Sequence, residues 1–170
     1  MADVERTNRT ALEEMRRLLG VLHSSEPGGT AAPIPDAYAP ALGLADIEVL
    51  ADRLRRAGLD VSVVQRGAAA GVPDDVGLTA YRIVQESLTN VLRHAGPAAV
   101  TVDLDVGDQL RVTVTDDGRG ASAALAGVPG TGRGIAGMRE RAAAVGGKLS
   151  AGPKRGGGYQ VRATVPLGGA

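Results

Sequence analysis

The chain predicts an α/β two-layer sandwich: one mixed, largely antiparallel sheet covered on one face by helices and preceded by one N-terminal helix. Three patterns carry this. Val100, Val102, Leu104 and Val106 alternate with Thr101, Asp103 and Asp105. After Gly107-Asp108 the alternation resumes as Leu110, Val112 and Val114 against Arg111, Thr113 and Thr115, which reads as a hairpin with one buried and one wet face. A long helical segment precedes this hairpin, and a second helix and a second hairpin follow it, so helices and strands belong to one layered unit.

In chain order, Val4 to Leu22 reads as a helix. Its seam Val4, Asn8, Ala11, Met15, Leu18, Leu22 repeats at alternating spacings of four and three. That spacing suits a dimer-forming coiled-coil helix, and a helix packing on its own domain would also satisfy it. Residues 25–43, rich in Pro, Gly and Ala, form a linker that buries too little apolar surface to order itself. The expected organisation is therefore 1–24 helix, 25–43 linker and 44–170 globular domain. Within the domain, Ala45 to Arg56 forms a helix stopped by Gly58, and Leu59 to Val64 a strand. Asp74 or Asp75 caps a helix that runs to Ala95, where Gly96-Pro97 ends it. Asp116 to Thr131 is irregular, Gly134 to Val145 helical, and Lys148 to Ser150 with Tyr159 to Val165 a closing hairpin.

Composition narrows the functional classes. Among 170 residues, 19 Lys and Arg balance 19 Asp and Glu, leaving no basic footprint for nucleic acid and no polybasic membrane anchor. Cysteine is absent, which removes thiolate metal sites and a Cys nucleophile. No apolar run approaches a membrane span and no signal-like stretch opens the chain, so a cytoplasmic fragment without membrane contact is expected. Without Phe or Trp, the core must be aliphatic and no aromatic platform for single-stranded nucleic acid exists.

Three segments carry chemistry. In Tyr81 to Ala95 (YRIVQESLTNVLRHA), Glu86, Asn90 and His94 fall at i, i+4, i+8 on one stripe. At about 100° per residue this stripe borders the buried arc of Ala80, Val84, Leu88 and Val91. An Asn oxygen beside a carboxylate suits magnesium that keeps waters and phosphate oxygens, and a His one turn on can meet a phosphate. A polar rim around a core contact explains the same residues. In Asp116 to Gly120 (DDGRG), Asp116 continues the inward row of Leu110, Val112 and Val114. A buried acid needs a donor, and the exocyclic amine of a purine would serve, with Gly118 and Gly120 admitting the ring close to the backbone. A simple chain reversal is the competing reading. In Gly130 to Arg141 (GTGRGIAGMRER), glycines open directly into a helix, whose first N–H groups make an anion site with Thr131 and Arg133 as added donors. It lacks the Lys-Ser/Thr ending of a P-loop and does not follow a strand as a dinucleotide fingerprint would.

In order and spacing, these segments resemble the N box and the two glycine boxes of the GHKL ATPases. They are most similar to those of sensor histidine kinases of the nitrate-sensor and DesK-like kind. Gly146-Gly147-Lys148-Leu149 and Gly156-Gly157-Gly158-Tyr159 complete a match over roughly 44–167. The resemblance implies a Bergerat-type ATP-binding catalytic domain that uses ATP and magnesium. Asn90 would hold the metal, and Glu86 would help order metal or water and assist proton removal. His94 would lie toward the phosphates and Asp116 would recognise adenine. Gly118, Gly120, Thr131, Gly132, Arg133, Gly134 and Ile135 would line the nucleotide under a lid of about 121–130.

The resemblance extends to Ala11 to Leu22, which looks like the end of a second dimerisation helix, so a homodimer through that helix is expected. The implied partners are a dimerisation and phosphoacceptor domain and a response regulator. No helix bearing an acceptor histidine precedes Val4, and His23 is followed by Ser24 rather than an acid. The chain is therefore expected to hold the donor half alone and not to phosphorylate itself. Gly158 stands where many kinases outside this group carry Thr. Two other functions fit parts of the pattern: an anti-sigma-factor-type serine kinase of the same fold, and a non-catalytic nucleotide-binding or dimerisation module.

Overall fold

The computed structural model describes residues 42–118 and 131–168, with the backbone alone for residues 131–133. The predicted N-terminal helix, most of the linker, His23, Gly120 and the 121–130 lid lie outside the described residues. Three helices, α1 (Leu44–Arg56), α2 (Asp74–His94) and α3 (Thr131–Ala144), accompany five strands. The strands are β1 (Asp60–Arg66), β2 (Ala99–Val106), β3 (Gln109–Asp116), β4 (Lys148–Pro153) and β5 (Tyr159–Pro166). They form one sheet in the order β1-β2-β3-β5-β4, in which only the β1–β2 pair is parallel. This is the mixed, largely antiparallel sheet and two-layer sandwich the sequence predicts.

The core is mainly aliphatic, and the expectation of a wholly aliphatic core is corrected by Tyr81, which is buried at 5 % exposure. Val100, Val102 and Leu104 from β2, Leu110, Val112 and Val114 from β3, and Ala163 and Val165 from β5 are buried. On the helical side Ile47 and Leu50 of α1, Ile83, Val84 and Leu88 of α2, and Met138 and Ala142 of α3 are buried as well. The opposite face of the sheet is wet. There Arg66 pairs with Asp103 at 2.5 Å across β1 and β2, and Arg111 with Asp105 at 3.1 Å across β3 and β2. These pairs are exposed and each contributes at most about 1 kcal/mol.

Helix ends explain the small shifts from the sequence expectation. Past α1, Gly58 takes φ +93°, its N–H donates to the Arg55 carbonyl, and the Leu59 N–H donates to the Leu54 carbonyl. This is the Schellman closure, so Leu59 ends the helix and β1 starts one residue later than expected. Gly146 and Gly147 close α3 in the same way, donating to the Ala143 and Ala142 carbonyls. At the start of α2 the expected Asp cap is corrected: Pro73 is the N-cap, and its carbonyl accepts the first intrahelical bond, from the Gly77 N–H. Asp74 and Asp75 instead occupy the first turn, where their charge favours the helix dipole, and Asp75 Oδ1 accepts the Val76 N–H. Helix α3 begins at Thr131, about one turn before the expected Gly134, so most of the second glycine segment is itself helical.

Candidate functional site

The site is built where α2, the start of α3 and the end of β3 meet. On α2, burial is complete at Ile83, Val84, Ser87 and Leu88, partial at Glu86 and Asn90, and lost at His94. The polar stripe therefore climbs from the edge of the core into the open, placing two oxygen-bearing side chains at a rim and an imidazole at its exposed end. Asn90 and Glu86 stand one turn apart, and both are half-buried.

Helix α3 is fixed against this stripe. Met138 is fully buried, and Ser87, whose hydroxyl donates to the Ile83 carbonyl at 2.7 Å, lies 3.7 Å from its sulfur. Four residues earlier, Gly134 sits directly on the carboxylate of Glu86. A methyl added there would overlap Glu86 Oε1 and lie 3.6 Å from Asn90 Nδ2. The glycine is thus what lets the first turn of α3, whose N–H groups have no partner within the helix, come down on the two α2 side chains. Ile135, the next residue, is half-buried. Thr131, Gly132 and Arg133 belong to that first turn, and the structure describes only their backbone.

At the end of β3, Asp116 continues the buried row and is 7 % exposed. Burial pushes its carboxyl above the ordinary Asp value, with a further push from the neighbouring Asp117. Backbone N–H donors of Gly118 and Tyr159 oppose the shift, the Gly118 N–H donating to Oδ1 at 2.9 Å. Asp117 turns outward and ties the chain to the start of β2, its Oδ1 accepting the Ala99 N–H at 2.7 Å while its own N–H donates to the Ala99 carbonyl. Two adjacent acids thus divide into one buried acceptor and one structural clasp.

Two glycines press on this strand end. A side chain at Gly118 would place its first carbon 2.5 Å from Ala95 Cβ and 2.7 Å from the Ala95 carbonyl, so here the missing side chain admits the C-terminus of α2. Gly158, at φ +82°, packs onto the Asp116 carbonyl so closely that any Cβ would overlap it. The left-handed φ and the contact together require glycine at this place. The structure thus brings Glu86, Asn90 and Gly134 into one group and Asp116, Gly118, Ala95 and Gly158 into a second, while His94 is exposed in the last turn of α2. Ser87, Ala95 and Met138 support the site and were not singled out in the sequence. Their only signal was a small or flexible residue beside a polar one.

The donor set fits magnesium held jointly with phosphate oxygens and waters. Among the described residues there is no cluster of three or more His, Cys, Asp or Glu that would cage a metal without such help. No helix among the described residues is long and apolar enough to cross a membrane.

Comparison with known proteins agrees with this arrangement. Residues 75–169 match the family described as histidine kinase-, DNA gyrase B-, and HSP90-like ATPase. Sensor histidine kinase YxjM of Bacillus subtilis is 38 % identical over 115 residues, which cover 66 % of this chain and 27 % of the relative. Sensor histidine kinase LiaS of the same organism is 32 % identical over 123 residues, covering 71 % of this chain and 32 % of the relative. The chain thus spans about a third or less of these relatives. Among solved structures, the blue-light activated histidine kinase of Erythrobacter litoralis superposes with a TM-score of 0.55 at 28 % identity, covering 73 % of this chain and 44 % of that one. The catalytic domain of histidine kinase ThkA shares the fold at 12 % identity and a TM-score of 0.53, over 74 % of this chain and 94 % of that one. With the N-box helix, the glycine-opened helix and the buried strand-end Asp all within the matched range, the chain belongs to the histidine kinase-, DNA gyrase B- and HSP90-like ATPase family, as an ATPase catalytic domain of the sensor histidine kinase kind.

Proposed function

We propose that this domain binds ATP with magnesium and donates the γ-phosphate to a histidine on a dimerisation and phosphoacceptor domain, for relay to a response regulator. The observation that carries the proposal is the seating of Gly134 on Glu86 and Asn90, which joins an anion-binding helix start to a pair of hard oxygen donors. At the other end, the Asp116 carboxylate is a buried acceptor suited to the exocyclic amine of adenine. Gly118 and Gly120 border the base, and Thr131, Gly132, Arg133 and Ile135 line the phosphate side.

In this reading Asn90 and Glu86 hold magnesium, which supplies charge neutralisation on the phosphate oxygens. Glu86 also orders water and assists proton removal from the attacking imidazole, and His94 lies toward the phosphates. Positioning and electrostatics carry phosphoryl transfer, so the contribution of the protein is to keep these groups in place. Dimerisation through residues 1–24, a linker over 25–43, a cytoplasmic setting for the domain and membrane attachment of the parent kinase through another region belong to the same proposal.

The test is competition between adenine and guanine nucleotides, followed by transfer of label from γ-labelled ATP to a phosphoacceptor domain supplied separately. Adenine preference that disappears in Asp116→Ala, with label on the acceptor histidine, is the expected result. Equal binding of GTP and ATP would remove Asp116 from base recognition. Label on a serine, or none on any acceptor despite tight ATP binding, would remove the histidine kinase assignment.

A further inference from the structure

Tyr159 closes the segment Gly156-Gly157-Gly158-Tyr159 and opens β5, directly opposite Asp116 of β3. Residues directly opposite in an antiparallel pair project to the same face, with Cβ atoms roughly 5 Å apart. The adjacent pair fixes which face that is. Gln160 Nε2 donates to Thr115 Oγ1 at 3.1 Å on the wet side of the sheet, so Tyr159 and Asp116 project to the helical side. Along that side of β5, Val165 and Ala163 are fully buried, Val161 is 6 % exposed and Tyr159 is half-buried. The apolar row therefore leaves the core at Tyr159, beside the Asp116 carboxyl.

The backbone fixes where this side chain starts. Gly158, at φ +82°, seats on the Asp116 carbonyl, and the Tyr159 N–H donates to the Asp116 carboxyl. Burial pushes the Tyr159 phenol above the ordinary Tyr value, Arg139 of α3 opposes the shift and the Asp116 charge adds to it. The phenol is thus neutral at neutral pH and stands within electrostatic range of both Asp116 and α3.

A purine whose exocyclic amine is bonded to Asp116 extends its rings away from that carboxylate. The acid serves the polar edge of the base, but the flat face needs an apolar surface, which a carboxylate and glycine backbone do not supply. An aromatic ring one cross-strand step from the acid does supply it. Tyr81, the other tyrosine among the described residues, is buried in the core and does not present its ring to a ligand. We infer that Tyr159 is the aromatic wall of the nucleotide site, laying its ring against the adenine base whose amine Asp116 accepts. The inference rests on the adenine assignment proposed above and deepens it: Asp116 selects the base by its edge, and Tyr159 holds it by its face.

The test titrates wild type, Tyr159→Phe and Tyr159→Ala with magnesium-ATP by calorimetry, beside thermal unfolding of each. It also follows the tyrosine ring protons of the wild-type chain as ATP is added. The chain has three tyrosines, and the spectrum of Tyr159→Phe identifies the Tyr159 signals. Tyr159→Ala should weaken ATP binding about 5- to 150-fold, while Tyr159→Phe binds like wild type. The Tyr159 ring protons should move upfield at saturation, as they enter the ring current of the base, and should stay in place with magnesium and inorganic triphosphate. Ring protons unmoved by saturating ATP, or wild-type affinity in Tyr159→Ala, would overturn the inference and leave the adenine site standing. Equal losses in Tyr159→Phe and Tyr159→Ala would assign the binding to the hydroxyl and overturn it too. If Tyr159→Ala does not fold, the wild-type ring protons decide the question alone. A folded wild type that binds no ATP would overturn the adenine assignment and this inference together.

Discussion

Replacing Asp116 by Asn removes a charge and keeps nearly the same shape, which separates stability from recognition. The carboxyl is 7 % exposed, and burial raises its pKa despite the N–H donors of Gly118 and Tyr159. A raised pKa means that the fold prefers the protonated form. That contribution is fully present below the unfolded Asp value, near 4, and is lost as pH rises through the folded value. At neutral pH the ionised carboxylate therefore costs stability, and Asp116→Asn should leave the thermal midpoint unchanged or raise it. Binding should move the other way. A hydrogen bond from the adenine amine to a buried charged acceptor is worth about 1.5–3 kcal/mol, and its loss weakens ATP binding about 10- to 150-fold.

The assay is calorimetric titration with ATP at neutral pH and again at descending pH, alongside thermal unfolding. Wild type should lose affinity as acid protonates Asp116, beginning above the ordinary Asp range, while the Asn variant should stay flat. An Asn variant that unfolds, or one that binds ATP like wild type, would refute the reasoning.

Further substitutions test the packing that shapes the site. Gly134→Ala gains up to about 1 kcal/mol of helix propensity, but its methyl displaces the Glu86 carboxylate, at about 0.5–1.5 kcal/mol for an off-rotamer side chain. Urea unfolding should therefore change little while magnesium-ATP affinity falls, and unchanged affinity would show that Glu86 can move without consequence. Gly158→Ala should lower stability by at least about 1–3 kcal/mol from the left-handed backbone alone, with more from overlap with the Asp116 carbonyl, and denaturant titration reads it directly. Met138→Ala should cost about 2–5 kcal/mol by the same measurement, because the side chain is fully buried between α3 and α2.

Much of this arrangement was legible from residue spacing. Alternation in Val100 to Thr115 gave the hairpin and the parity that buries Asp116, because strand period is fixed by the backbone. The i, i+4, i+8 spacing of Glu86, Asn90 and His94 gave a stripe at the edge of the core. Contacts between segments distant in sequence were not legible. Nothing in the local pattern says that Gly134 seats on Glu86, that Gly118 makes room for Ala95, or that Gly158 does so for the Asp116 carbonyl. Each of those glycines reads locally as loop chemistry, and only the packed sheet and helices reveal the neighbour a side chain would strike. The start of α3 was misplaced for a related reason: glycines at 132 and 134 weaken helix propensity, while packing of Met138 against α2 holds the turn in place.

The central claim, that these glycines and acids assemble one magnesium-ATP site, is tested most directly by titrating the chain with ATP in the presence and absence of magnesium, together with Asn90→Ala. Adenine-nucleotide binding strengthened by magnesium in wild type, with that strengthening lost in Asn90→Ala, is the predicted result. Binding that ignores both magnesium and Asn90, or no binding by the folded chain, would contradict the account.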